Sequence, residues 1–214
     1  MAELFTGLDA ARVAANLGRV REHIAAAGRD PAGVEICAAI KYVPAAELPA
    51  LAEAGIELVG ENRAQDLLDK QADHRELFQW DFIGALQSRK LRDIAPNVRL
   101  IHSVASDSAL RRLEQYPAHE VLLQVNVAGE EGKSGIAPAA LGDFLGRCPV
   151  PVGGLMTMPP FVERAEDNRR WFAALAQLAA EHDLPRLSMG TTQDYEVAVQ
   201  EGATIVRLGT VLYA

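Results

Sequence analysis

The sequence predicts an α/β fold, a single (β/α)8 barrel of the TIM type with one extra helix at its N-terminal side. Short runs rich in aliphatic and β-branched residues alternate with helical stretches, and such alternation produces right-handed βαβ units and a parallel sheet. Eight alternations within about 180 residues favour a closed barrel over a doubly wound open sheet, which is the alternative. No linker or low-complexity segment divides the chain, so we expect one domain over residues 1–214.

The individual elements follow from hydrophobic periodicity, which has a period of 3.6 in helices and 2 in strands. The N-terminal helix is predicted over 8–27. Strands are predicted at 35–41, 57–61, 80–84, 99–104, 120–127, 152–157, 186–189 and 204–209. The helical stretches between them include 46–55, 61–74, 106–116, 164–182 and 192–202.

Composition and charge narrow the possible functions. Hydrophobic residues make up 49% of the chain, which supplies a core, and the formal net charge of −8 disfavours binding to nucleic acid or to an anionic membrane. The N-terminal residues lack the basic and apolar pattern of a signal peptide, and no window is apolar enough to span a bilayer. The two cysteines, Cys37 and Cys148, have no framework spacing, so we expect reduced thiols in a cytoplasmic protein.

Lys41 is the first candidate for chemistry, because active sites of such barrels lie at the carboxyl ends of the strands. Side chains alternate along a strand, so Cys37, Ala39 and Lys41 share one face, and their small neighbours suit the barrel interior. An amine in that interior either pairs or loses its charge, and the neutral amine is the form that attacks an aldehyde. The alternative is a solvated lysine that extends to the rim.

The predicted seventh and eighth strands end in hydroxyl and glycine residues. Ser188, Gly190, Thr191 and Thr192 lead into a helix, where backbone N–H groups and the helix dipole bind phosphate. Thr191 or Thr192 could instead be an ordinary helix N-cap. After the eighth strand, 209–210 (Gly-Thr) offers a second backbone approach, and barrels most often hold phosphate after these two strands.

Arg207 is the third candidate, because the alternation that turns Val206 and Leu208 toward the helices turns Arg207 into the barrel. A guanidinium only donates hydrogen bonds, so beside a pyridine ring it would favour an unprotonated ring nitrogen. The alternative is an internal ion pair with Glu61 or another carboxylate.

At these residues the sequence resembles the pyridoxal phosphate homeostasis proteins (the YggS/PROSC family), whose barrel is similar to the N-terminal domain of alanine racemase. The resemblance covers essentially the whole chain in order. The matching segments are IKYVP (40–44), GENRAQD (60–66), FIGALQSRK (82–90), HSV (102–104), QVNVAGEEGKSGIAP (124–138), GLMTMPP (154–160), LSMGTTQDYEVAV (187–199) and GATIVRLGT (202–210).

The resemblance implies that the cofactor is pyridoxal 5'-phosphate (PLP), held as a Schiff base on Lys41. It implies that phosphate is held by the hydroxyl and glycine residues of the last two strands, namely Ser188, Gly190, Thr191, Thr192, Gly209 and Thr210. Arg207 would face the pyridine nitrogen, Asn62 would lie near the ring, and Met156 would line the site.

Some positions depart from the pattern of that family. Ile40 and Tyr42 stand where Ser and Thr are usual on either side of the lysine, and Arg89 stands where Asn is usual. Thr191 and Thr192 replace the usual Met-Ser, which keeps a hydroxyl for phosphate. The affinity for PLP and the rate of its release are the properties that these departures leave open.

Two functions compete: a protein of intracellular PLP homeostasis with little or no turnover, and a PLP-dependent amino-acid racemase of low activity. Racemisation needs two bases, and in alanine racemase the second is a tyrosine contributed through a C-terminal β-domain. The chain ends just after the eighth predicted strand, so we expect that domain and its dimer surface to be missing and the protein to be a monomer. Tyr42 and His102 are the remaining candidate bases, and packed side chains are expected at both positions.

Three further expectations concern ligands and partners. We expect no metal site, because no His, Cys or carboxylate cluster has ligand spacing. The loop around Lys133 is either a solvated loop, a lid or a second place for the cofactor. Apo-enzymes that require PLP are the expected recipients.

Overall fold

A closed parallel barrel forms the centre of the computed structural model, which describes residues 4–214. Its strands are paired in chain order, and the last pairs with the first, so the predicted (β/α)8 fold is confirmed. Residues 1–3, part of the predicted domain, lie outside the described residues. The strands are β1 Glu35–Ala39, β2 Leu58–Glu61, β3 Gln79–Phe82, β4 Leu100–Val104, β5 Val121–Gln124, β6 Val152–Met156, β7 Arg186–Thr191 and β8 Ile205–Leu208.

Helices surround the barrel and bury their apolar faces against its outer side. They are α1 Ala10–Ala26, α2 Leu48–Glu53, α3 Ala64–His74, α4 Leu91–Ile94, α5 Asp107–Gln115, α6 Leu141–Arg147, α7 Arg169–Glu181, α8 Tyr195–Gln200 and α9 Thr210–Tyr213. Short 3-10 segments lie at Pro31–Gly33, Ala45–Glu47, Arg75–Leu77, Ser88–Lys90, Ala95–Asn97, Pro138–Ala140 and Ala165–Asn168.

The extra N-terminal helix, α1, begins after Asp9, whose carboxylate accepts a hydrogen bond from the N–H of Ala11 and so caps the first turn. Its buried Asn16 donates through Nδ2 to the carbonyl oxygens of Leu212 (3.0 Å) and Ala214 (2.9 Å). These bonds satisfy carbonyls at the end of α9, which have no partner within that helix. They attach α1 to the segment that follows β8, beside the carboxyl end of the barrel.

The alternation predicted for the first strand is confirmed. Cys37 belongs to a small apolar cluster inside the barrel, whereas Ala38 and Ile40 belong to the larger core between barrel and helices. Polar side chains share the interior with this cluster, and fully buried Asp81 and His102 are among them. The barrel interior therefore contains polar side chains beside the small apolar cluster.

Several strand ends differ from the prediction, among them those of β1, β3, β5 and β7. β1 ends at Ala39, so Lys41 lies two residues beyond the strand. β7 continues to Thr191, two residues beyond the predicted end. Within it Gly190 adopts a φ of +88°, a conformation that glycine reaches without strain, and the strand bends where its register against β8 shifts, between Ser188 and Thr191. Among residues 4–214, no helix combines the length and the apolarity needed to cross a membrane, and both cysteines are free thiols.

Candidate cofactor-binding site

A cavity of about 600 Å³ opens at the carboxyl ends of the strands. The predicted site residues meet in its wall, with the exception of Ser188 and Gly190. The lining residues are Ala39, Lys41, Asn62, Ile83, Gly84, Ala85, Gln124, Ser134, Met156, Met158, Thr191, Thr192, Gln193, Arg207, Gly209 and Thr210. Residues that are distant in sequence thus converge where barrels of this class place their chemistry.

Lys41 reaches the cavity from the loop after β1, and its side chain is exposed. Its ammonium group lies over the ring of Tyr42, with Nζ at 4.7 Å from the ring centroid. The expectation that Lys41 is desolvated in the barrel interior is therefore wrong, because two residues of loop carry it above the strand end. It is the lysine that the cavity wall contains, since Lys70, Lys90 and Lys133 are not in that wall.

Arg207 lies on β8 with its guanidinium buried at the floor of the cavity. Nη1 donates to the carbonyl oxygen of Ser188 at 2.8 Å and to its Oγ at 2.6 Å, and Nη2 donates to the carbonyl oxygen of Thr157 at 2.9 Å. The alternative ion pair with Glu61 is wrong, because Glu61 pairs with Lys70 on the other side of the wall. Burial lowers the pKa of Arg207 to about 10, which keeps the side chain charged at neutral pH.

A chain of buried hydrogen bonds runs from Arg207 across the barrel. Ser188 Oγ lies 2.8 Å from Nδ1 of His102, and Nε2 of His102 lies 3.0 Å from Oδ2 of Asp81. Arg99 then makes a bidentate contact with Asp81, at 3.0 and 2.8 Å. The chain links the cavity floor to the opposite end of the barrel.

The protonation states of Asp81 and His102 decide which group donates and which accepts in this series of hydrogen bonds. Burial by itself would raise the pKa of Asp81, but hydrogen bonds from His102 and Arg99 outweigh it, so the pKa is lowered and Asp81 is a carboxylate. Burial lowers the pKa of His102, which is therefore neutral. A carboxylate only accepts, so His102 carries its proton on Nε2, and Nδ1 accepts from the hydroxyl of Ser188. The Ser188 oxygen is then free to accept from Arg207.

Ser188 and His102 thus have structural partners rather than positions in the cavity wall. Ser188 is fully buried, and both hydrogen bonds of its hydroxyl are to protein groups below the cavity, so the predicted contact of this hydroxyl with phosphate stays a prediction. Its inward position on β7 follows from the strand alternation, and the bend at Gly190 separates it from the rim. His102 is a satisfied barrel histidine, as expected, and is not exposed to a ligand.

The rim after β7 and β8 retains several hydroxyl and backbone donors. Thr191 is engaged within the protein, because its N–H (2.7 Å) and its hydroxyl (3.0 Å) both donate to Oδ1 of Asp194. Asp194 is the N-cap residue of α8, so neither threonine takes that position. Thr192 Oγ1 accepts from the N–H of Gly209 at 3.2 Å and still has its own proton to donate. Thr210 opens α9, whose first N–H groups have no partner within the helix.

The absence of a side chain has different consequences at Gly190 and at Gly209. A Cβ at Gly190 would lie 2.6 Å from Cβ of Ala198 and 2.9 Å from Cα of Tyr195, so packing of α8 against β7 requires glycine there. Gly190 is buried and does not line the cavity, and a direct role for it at the phosphate stays a prediction. A Cβ at Gly209 would meet nothing closer than Ala39 at 3.9 Å, so the missing side chain leaves open space on the cavity side.

Asn62 lines the opposite wall, where β2 leads into α3. Its Oδ1 is buried and has no hydrogen-bond partner among the described residues. Gly84 lies directly behind it, since a Cβ there would be 2.0 Å from the carbonyl oxygen of Asn62. An unpaired buried amide in a cavity wall is the kind of group that a polar ligand satisfies.

The cavity wall also contains residues that the sequence did not single out as site residues, namely Ala39, Ile83, Gly84, Ala85, Gln124, Ser134, Met158 and Gln193. Most follow or end strands, so their position relative to strand ends was a usable signal for them. Ser134 is different, because it comes from the long loop that contains Lys133 and folds back so that Gln124 Nε2 donates to its carbonyl oxygen at 3.1 Å. Lys133 itself is exposed and pairs with Glu130 at 2.5 Å.

Tyr42 does not line the cavity, and its backbone oxygen accepts from the N–H of Phe5 at 2.9 Å. The expectation of a packed tyrosine at this position fits its half-buried side chain. Across residues 4–214, no cluster of three or more His, Cys, Asp or Glu side chains is arranged to hold a metal ion.

No protein-family model matches the chain, but whole-length relatives do. The pyridoxal phosphate homeostasis protein of Pseudomonas aeruginosa is 44% identical over 216 residues, which cover 95% of this chain and 92% of that protein. The protein of the same name from Aquifex aeolicus is 38% identical over 218 residues, with 94% and 96% covered. The chain belongs to the pyridoxal phosphate homeostasis protein family. The resemblance noted in the sequence is therefore confirmed.

Solved structures agree with this membership. PipY of Synechococcus elongatus PCC7942, whose structure contains PLP, superposes with a TM-score of 0.82 at 32% identity, covering 94% of this chain and 100% of PipY. Alanine racemase of Corynebacterium glutamicum superposes with a TM-score of 0.68 at 13% identity, and the match covers 96% of this chain and 61% of the racemase chain. The latter likeness concerns the fold alone, and it confirms the predicted alanine racemase-like barrel.

Proposed function

We propose that the chain acts as a single barrel domain that binds PLP in the cavity at the strand ends, holds it as a Schiff base on Lys41 and has little or no turnover. The observation that carries the proposal is the convergence, in one cavity, of a single accessible lysine with a hydroxyl-rich rim and a buried arginine. When bound, PLP supplies an aldehyde that reacts with an amine. Membership of the homeostasis family and the PLP in the PipY structure support the choice of cofactor.

The residues present fit such a cofactor. Thr192 and Thr210 have hydroxyls at the rim, and the open space at Gly209 admits a phosphate close to backbone N–H groups. Asn62 has an unpaired amide oxygen for a polar group at the ring, and Met156 adds an apolar surface. Arg207 donates hydrogen bonds only, so it fits an unprotonated pyridine nitrogen.

Two features of the cavity favour a carrier over the alternative racemase. The basic side chains in its wall are Lys41 and Arg207, and Arg207 is already engaged by protein oxygens, which leaves no further cation for the carboxylate of an amino acid. His102 and Tyr42, the candidate second bases, are outside the wall.

The test uses the absorbance of the protein mixed with PLP, before and after borohydride reduction, followed by peptide mapping. The chain has four lysines, so the position of the label can be assigned. We expect a visible band that borohydride removes and a label on Lys41. Lys41→Ala should abolish the band with no loss of thermal stability, because the side chain is exposed, whereas Lys133→Ala should retain it. A label spread over several lysines, or an unchanged band in Lys41→Ala, would refute the assignment.

Turnover and partners are tested next. Incubation of the loaded protein with L- and D-amino acids should give no change in optical rotation, and racemisation at enzymatic rates would favour the alternative function. We propose that the protein is a cytoplasmic monomer and that apo-enzymes requiring PLP are its recipients. Sedimentation of the loaded protein should give a mass near 23.1 kDa, and mixing with an apo-enzyme should restore that enzyme's activity.

A further inference from the structure

A buried ion pair lies behind the cavity wall, between helix α3 and the ends of β1 and β2. Nζ of Lys70 is 2.5 Å from Oε2 of Glu61, and the two side chains are 9% and 0% exposed. Charges are rarely buried, because desolvation of an ion pair offsets much of its attraction. Replacement of a buried ion pair by well-packed apolar residues is often neutral or stabilising, so stability is a weak explanation for the presence of this pair.

Each member of the pair also holds a backbone group next to a cavity residue. Nζ of Lys70 donates to the carbonyl oxygen of Ile40 at 2.6 Å, directly before Lys41. Oε1 of Glu61 accepts from the N–H of Asn62 at 2.5 Å. One ion pair is therefore hydrogen-bonded to the chain beside both polar residues on this side of the cavity.

These bonds lie where the sheet has stopped constraining the backbone. The register of β1 and β2 ends at Ala39 opposite Gly60, and the N–H of Ile40 makes one further bond, to the carbonyl oxygen of Gly60 at 3.0 Å. Beyond that point Lys41 is in a loop and is exposed. The next contact that holds this backbone comes from α3, which packs on the barrel and carries Lys70.

We propose that Lys70, together with Glu61, is a positioning residue that fixes the strand ends carrying Lys41 and Asn62 and thereby aims the Lys41 amine at the cofactor. The inference rests on the proposed function, since it assigns a role relative to the Schiff base on Lys41. Lys70 touches no reacting atom, and it acts through the carbonyl of Ile40 and through Glu61.

The experiment compares two ligands that differ in one group. PLP forms a bond to Lys41, whereas pyridoxine 5'-phosphate has an alcohol in place of the aldehyde and binds without it. The Lys70→Met/Glu61→Gln double variant removes both charges, so no unpaired carboxylate is buried, and it keeps an amide oxygen for the N–H of Asn62. We expect its affinity for PLP and its rate of Schiff-base formation to fall about tenfold or more, while the affinity for pyridoxine 5'-phosphate changes less than about threefold.

Two controls separate positioning from loss of stability. Lys70→Arg keeps a donor cation and should recover most of the rate. Leu113→Ala removes a fully buried side chain on α5, lowers the stability of the fold, and should leave both affinities unchanged.

The outcomes are distinguishable. A wild-type protein that forms no Schiff base on Lys41 contradicts the proposed function itself. A wild-type Schiff base together with an unchanged rate and affinity in the double variant refutes the role of Lys70. Equal losses for both ligands would also refute it, because they indicate a general disturbance of the cavity.

Discussion

Replacing Ser188 by alanine tests whether this hydroxyl belongs to the buried network or to the phosphate site. In the structure its Oγ accepts from Nη1 of Arg207 at 2.6 Å and lies 2.8 Å from Nδ1 of His102. The substitution removes both contacts in a fully buried place. Arg207 keeps the carbonyl oxygen of Ser188 at 2.8 Å, whereas Nδ1 of His102 is left without a donor.

The size of the effect follows from that asymmetry. A buried acceptor without a partner costs about 1–3 kcal/mol, and the arginine contributes little because it retains a nearby acceptor. We expect the free energy of unfolding to fall by about 1–3 kcal/mol, which corresponds to about 2–4 °C in Tm for each kcal/mol at this chain length. Urea titration and thermal unfolding of the apo-protein measure both quantities.

Ligand binding provides the second half of this test. The ratio of the affinities for PLP and for pyridoxal, which lacks the phosphate, isolates the contribution of the phosphate site. Ser188→Ala should leave that ratio unchanged. Thr192→Val, the matched substitution at the rim, should lower it about tenfold, since a hydrogen bond to a charged group contributes about 1.5–3 kcal/mol. A reduced ratio with unchanged stability in Ser188→Ala would refute the reasoning.

Three further predictions concern stability. Gly190→Ala should lower the free energy of unfolding by about 2–4 kcal/mol, because the new Cβ would combine a positive φ with a contact of 2.6 Å. As the control, Gly18→Ala in α1 places its Cβ in open space and should raise the free energy of unfolding by about 0.5–1 kcal/mol. Burial lowers the pKa of His102, so on acidification the unfolded chain takes up a proton at this residue before the folded protein does, and the free energy of unfolding should fall below about pH 6.5. In His102→Gln, urea titrations should show an acid-induced loss that is smaller by up to about 1.4 kcal/mol per pH unit. Asn16→Ala leaves the carbonyl of Leu212 without its donor and should cost about 1–3 kcal/mol in thermal unfolding, and no loss would contradict the attachment of α1.

The fold and much of the cavity could be predicted because they depend on local periodicity. Strand alternation correctly predicted that Cys37 and Arg207 point into the barrel. The rule that active sites lie at strand ends correctly predicted that Lys41, Thr192 and Thr210 line one cavity. Neighbouring strands in a barrel are neighbours in sequence, so order along the chain translates directly into position around the cavity.

The errors arose where a backbone departed from regular geometry. The sequence predicts Lys41 as the last residue of the first strand, facing the barrel interior, but β1 ends two residues earlier and the side chain is exposed. Ser188 was grouped with Thr191 and Thr192, but the bend at Gly190 separates them, with Ser188 below and the threonines at the rim. A one-residue change in backbone direction sends a side chain to another environment, and sequence patterns do not resolve it.

The sequence by itself therefore determined the barrel, the family and the end of the barrel at which the cavity lies, because hydrophobic period and ordered motifs are local properties of the chain. Only the tertiary structure decided which polar groups satisfy one another. His102 meets Ser188 across 86 positions, and Lys70 meets the carbonyl of Ile40 across 30. Such pairings depend on distances of a few ångströms between separate elements, and those distances are set only when the barrel closes.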